Sequence, residues 1–135
     1  MSTIRVTTLP NGLRVATDTM PHVETASLGV WVGVGTRNER AEVNGVAHLV
    51  EHMVFKGTPT RTAFDISEQI EAVGGHMNAY TTREHTAYYA KVLKEDAPLA
   101  LDVIGDSSSS SSRLCWSMSP ITSSASGASS FRTLA

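Results

Sequence analysis

Between residues 24 and 35 the chain alternates strictly, with Leu28, Val30, Val32 and Val34 on one side and Gly29, Trp31, Gly33 and Gly35 on the other. A period of two is the signature of a β-strand, because successive side chains point to opposite faces of the pleat. The segment is therefore committed to a sheet with one apolar face. Its other face is mostly glycine, which marks the close approach of another backbone or a packed element.

The elements around this strand follow from punctuation and period. Residues 4–9 and 13–18 flank Pro10-Asn11-Gly12 and read as two short strands about an Asn-Gly turn. Asn44 can cap a helix over 45–56, with Gly57 as its stop and Val46, Leu49, Val50 and Met53 as an apolar stripe for the core. A second helix runs from 62 or 63 to 73, with Ile66, Ile70 and Val73 at helical spacing and Gly74-Gly75 ending it. Residues 76–81 and 84–93 form a strand pair, the second carrying Thr86, Tyr88, Tyr89 and Val92. Residues 95–104 close the ordered part as a helix with Leu99, Leu101, Val103 and Ile104 as core candidates. This order of elements predicts an α+β domain, an antiparallel β-sheet packed with helices.

At 135 residues the chain holds one domain with a real core rather than two. Its net charge is −2 and it has no basic run, which argues against nucleic acid and anionic membranes as partners. The N-terminus has neither a signal-peptide nor a transit-peptide pattern, and no apolar run reaches the ~18 residues of a membrane span, so a cytoplasmic location is expected. The single cysteine, Cys115, cannot form an internal disulfide. After Asp106 the character changes: Ser107 to Ser112 are consecutive serines, and seven more serines follow with no sustained period. The domain division is therefore 1–106 and 107–135, the latter expected to be a disordered or poorly packed Ser-rich tail.

The chemistry lies at His48-Leu49-Val50-Glu51-His52. On a helix, His48 and His52 stand one turn apart on one face, with Glu51 adjacent to both. Two neutral imidazoles suit zinc, which lowers the pKa of a bound water towards about 7, where a nearby carboxylate can take its proton. Buried without a partner, Glu51 would be costly, so a carboxylate there calls for a metal-bound water or a cation. His22, His76 and His85 lie in a turn or at strand starts and read as surface or edge residues. Catalytic zinc takes three protein ligands, and two histidines supply only two. No aspartate or glutamate follows Asp106. Glu68, Glu71, Glu84 and Glu95 remain, and nothing in the sequence singles one of them out.

The string from Asn44 through His48, Glu51, His52, Phe55, Lys56 and Gly57 to Thr58 resembles the motif helix of the pitrilysin-like, or inverzincin, zinc metallopeptidases, whose pattern is H-x-x-E-H. The subgroup it is most similar to is the processing-peptidase-like one of bacteria and mitochondria. The likeness continues through Gly74-Gly75-His76-Met77-Asn78-Ala79-Tyr80-Thr81 and Glu84-His85-Thr86-Ala87-Tyr88-Tyr89, and covers roughly residues 3–106. The resemblance implies Zn²⁺ as cofactor, His48 and His52 as its ligands, and Glu51 as the general base. It implies that Asn78, Ala79 and Tyr80 lie on a strand that pairs with an extended peptide substrate through its backbone. It also implies a second homologous domain or subunit as partner, and a third ligand, a glutamate, on a later helix. Residues 127–132, where that ligand is expected, read Gly-Ala-Ser-Ser-Phe-Arg.

Back-translated in a neighbouring frame, residues 123–135 can encode Lys-Arg-Glu-Arg-Gly-Val-Ile-Leu-Gln-Asp-Ile-Gly, which resembles that third-ligand helix. The tail is on this reading a frameshift product, and the encoding DNA is its test. The chain then reads as the N-terminal part of a zinc metalloendopeptidase, truncated and weakly active or inactive. The alternative is a non-catalytic peptide-binding or assembly subunit of a processing-peptidase-like complex.

Overall fold

The computed structural model describes residues 3–118 and 130–134, with side chains described from Ile4 to Ser108. The strands are β1 (Thr3–Thr8), β2 (Arg14–Thr19), β3 (Thr25–Val32), β4 (His76–Thr81), β5 (Thr86–Leu93) and β6 (Ser130–Leu134). The helices are α1 (Val46–Met53), α2 (Ala63–Glu71) and α3 (Ala97–Met118). One sheet holds all six strands in the order β1-β2-β6-β3-β5-β4. Every pairing is antiparallel except that of β6 with β2. This is the expected α+β architecture.

The alternating segment forms β3 as the period requires. Leu28 and Val30 are buried, and they meet Ala90 and Tyr88 across the β3–β5 ladder. With Ala26 and Val92 they make one apolar sheet face, on which Ile66 and Ile70 of α2 and Ala100, Val103 and Ile104 of α3 close the core. The glycine face has the reason anticipated for it at two positions. A side-chain carbon on Gly29 would lie 2.6 Å from the Tyr88 carbonyl oxygen, and one on Gly35 would lie 2.4 Å from that of Thr82. The neighbour pressing on these glycines is backbone, not a helix.

Helix α2 begins in a capping box: Asp65 N–H donates to the Thr62 hydroxyl oxygen, and the Asp65 carboxylate accepts from Thr62 N–H. It ends where Gly74 takes φ +68°, the left-handed conformation that glycine adopts without strain.

Four expectations need correction. The stripe Val46, Leu49, Val50 and Met53 does not enter the core: Leu49 is 49% and Met53 42% exposed, and α1 has no buried residue. α1 lies against the end strand β4 and against α3 rather than over the middle of the sheet. It also stops at Met53 rather than Lys56, because the chain turns there to bury Val54 and to pack Phe55 on the core. In α3, Leu101 is exposed and Ala100 takes its place inside. Finally, α3 does not end near Ile104 but runs through the serines to Met118. Residues 119–129 and 135 of the Ser-rich tail lie outside the described residues.

Candidate metal centre

α1 turns the H-x-x-E-H spacing into a pincer. The Nε2 atoms of His48 and His52 are 3.1 Å apart, with ring centroids at 4.6 Å and planes tilted by 58°. The two Nε2 atoms share a hydrogen bond whose donor is set by the tautomers of the rings. Two nitrogens bound to one tetrahedral zinc at roughly 2.0–2.1 Å stand about 3.3 Å apart. The donor atoms already converge at that spacing, so the pair fits such an ion. Both rings are exposed and open to an entering ion. Glu51 is half-buried, with no hydrogen-bond partner among the described residues.

The helix start is not built as expected. Asn44 does not cap it: the residue at the cap position is Gly45, at φ +96°, and no side chain there bonds the helix. The carboxylate of Glu39 does so instead, accepting Gly45 N–H at 2.7 Å and Ala47 N–H at 2.7 Å. Sequence reasoning missed Glu39 because it looked for a cap next to the helix, and this acceptor lies six residues before Gly45.

Among the described residues no group of three His, Cys, Asp or Glu side chains converges. Of the four glutamates left open by the sequence, Glu84 pairs with Arg37 and Glu71 accepts a hydrogen bond from Ser67. None joins the pair.

Asn78, Ala79 and Tyr80 lie on β4, which among the described residues forms the end of the sheet and pairs only with β5. No described strand pairs with its other edge, so it carries backbone groups to which a further strand can bond. One donor is held locally: Ala79 N–H donates to the Asn78 side-chain oxygen at 2.8 Å. The Tyr80 hydroxyl accepts from Trp31 Nε1 at 3.4 Å, and its ring meets His85 and Tyr89 edge-on. Beside β4 a cleft of about 390 Å³ is lined by Phe55, Ile66, Ile70 and Met77, with Ser67, Glu71, His76 and Asn78 as its polar side chains. Neither histidine of the pair lines it. No helix among the described residues is long and apolar enough to cross a membrane.

Residues 14–114 match the family model Insulinase (Peptidase family M16). An uncharacterized zinc protease of Mycobacterium tuberculosis is 59% identical over 102 residues, which is 76% of this chain and 23% of that protein. The probable mitochondrial-processing peptidase subunit beta of Arabidopsis thaliana is 58% identical over 102 residues, 76% of this chain and 19% of that protein. An uncharacterized zinc protease of Bacillus subtilis is 48% identical over 99 residues, 73% and 24% of the two chains. The chain thus spans under a quarter of the length of these relatives. With a family match over most of its length, and with the two histidines of the H-x-x-E-H helix brought together by the fold, this chain belongs to the insulinase family of zinc peptidases.

Proposed function

We propose that residues 1–106 are the motif-bearing N-terminal part of a zinc metalloendopeptidase domain, and that 107–135 is an aberrant Ser-rich tail. The observation that carries this reading is the convergence of the His48 and His52 Nε2 atoms at 3.1 Å. His48 and His52 hold the ion. When bound, zinc polarises the scissile carbonyl and acidifies water. Glu51, one residue before His52, takes the proton of the attacking water and returns it to the leaving amine. Among the described residues no cation pairs with its half-buried carboxylate, which supports its being free for that transfer.

The substrate is a peptide in extended form, added as a strand along the free edge of β4 at Asn78, Ala79 and Tyr80. The processing-peptidase relatives are named as beta subunits, which supports a second homologous domain or subunit as the partner that completes the enzyme.

A second reading is favoured by one observation, the lack of a third ligand among the described residues. On it the chain is a non-catalytic peptide-binding or assembly subunit. Zinc titration of the purified chain separates the two. Stoichiometric zinc that is lost in His48→Ala and retained in Glu51→Gln is the expected result, with little hydrolysis by the chain alone. Folded, metal-free protein that still binds peptide gives the second reading. Robust, chelator-sensitive cleavage abolished by Glu51→Gln means that another residue, of this chain or of a partner, completes the site.

A further inference from the structure

Glu39 touches neither the metal pair nor the free strand edge, yet it bonds to segments that lead to both. Its carboxylate oxygens accept Gly45 N–H and Ala47 N–H, each at 2.7 Å. α1 has eight residues, well below the ~12–15 at which an isolated helix holds together in water. Its first turn, where His48 stands, has four backbone N–H groups without helical partners, and its glycine cap has no side chain to satisfy them. Glu39 takes up the gap.

The other end of the link is equally defined. Glu39 follows a 3-10 turn at Thr36–Asn38 and donates its own N–H to the Thr36 carbonyl at 3.3 Å. That turn is stitched to the tip of the β4–β5 hairpin: Thr36 N–H donates to Thr82 O at 3.0 Å, and Arg37 N–H to Arg83 O at 3.2 Å. Gly35 presses against the same two residues. A chain of bonds therefore runs from the hairpin that carries β4, through the turn and Glu39, to the first turn of the motif helix.

We propose that Glu39 is a positioning residue that fixes His48 relative to His52 and to β4. The proposal rests on reading the histidine pair as the metal site. Without Glu39 the first turn of α1 frays, His48 loses its place one turn from His52, and the pincer opens.

The test is zinc titration of the full 135-residue chain, together with two readouts on the metal-free protein. These are the nuclear Overhauser contact between the two imidazole rings and amide exchange at Gly45 and Ala47. Glu39→Ala is expected to weaken zinc binding about tenfold, the scale of a lost helix cap. It also abolishes the ring contact and speeds exchange at both amides, while core amides of β3 stay protected. Glu39→Gln keeps one acceptor and is expected to lose about threefold, by the same scale. Glu42→Ala removes an exposed carboxylate from the neighbouring turn and leaves zinc affinity unchanged.

Zinc affinity within twofold of the parent in folded Glu39→Ala, with the ring contact intact, overturns the proposal. An equal loss in Glu42→Ala also overturns it, since the effect is then one of net charge. Should Glu39→Ala fail to fold, Glu39→Gln decides by the same readouts. A parent chain that binds no zinc refutes the metal reading instead, and the two metal-free readouts then judge Glu39 by themselves.

Discussion

Arg61 and Asp106 are joined by an ion pair of 2.9 Å that fastens the loop leaving the motif helix to α3. Asp106 also accepts from the Thr58 hydroxyl at 2.7 Å and the Thr60 hydroxyl at 2.8 Å. Arg61 pairs further with Asp102 and donates through Nε to Gln69 at 3.1 Å, so α2 is drawn into the same network. The two side chains are only 17% and 18% exposed, which shields the pair from solvent. The Thr58 hydroxyl, with help from Thr60 and Arg61, holds the Asp106 carboxyl below the usual carboxylate range. Its bond to Asp106 in turn raises the Arg61 guanidinium above its ordinary value.

A depressed carboxyl pKa sets the sign of a pH effect. Asp106 contributes stability that is fully present above the unfolded value of about 3.9, and that is lost as pH falls through the lower folded value. Asp106→Asn is expected to cost about 1–2 kcal/mol at neutral pH, since it leaves Arg61 short of its anionic acceptor. Urea unfolding of parent and variant at neutral pH and near pH 3 checks this. The gap between them should narrow in acid, and a gap that widens there contradicts the account.

Gly35 and Gly33 share the same face of the alternating segment but differ in their surroundings. A side-chain carbon on Gly35 meets the Thr82 carbonyl oxygen at 2.4 Å, whereas one on Gly33 meets nothing within 4 Å. Gly35→Ala must push the turn at Thr36–Asn38 away from the β4–β5 hairpin, at a cost of about 1–3 kcal/mol, the range for overpacking. Gly33→Ala is expected to stay within about 0.5 kcal/mol. Thermal unfolding of the two variants side by side decides it: equal shifts in midpoint contradict the close approach at Gly35.

Local pattern carried much of this structure, and the exceptions have physical causes. The period-two run as far as Val32, where β3 ends, and the helical spacing of Ile66 and Ile70 placed their side chains correctly, because each pattern is resolved within one element. The histidine pair was legible for the same reason. Leu49 and Met53 were misplaced because the apolar stripe of a helix does not say how much of the sheet that helix covers, and α1 covers only its end. Glu39 and the Arg61–Asp106 network escaped notice because their partners lie 6 to 8 and 45 residues away in sequence. The strand β6 had no local signal either, since Phe131 and its neighbours show no sustained alternation.

α3 supplies a sharp test of which face is buried, because two of its aliphatic residues, three positions apart, differ in environment. Ile104 is 1% exposed and packs with Ile66, Ile70 and Leu28, while Leu101 is 47% exposed. Ile104→Ala removes three buried carbons and leaves a cavity between helix and sheet, at a cost of about 2–5 kcal/mol. Leu101→Ala deletes as much side chain from a position already largely in water, and is expected to change stability by no more than about 0.5 kcal/mol. The two costs, read as shifts in urea midpoint at unchanged slope, should therefore differ several-fold. Equal costs would place α3 in a different rotation on the sheet, and with it the Asp106 anchor of the loop that leaves the motif helix.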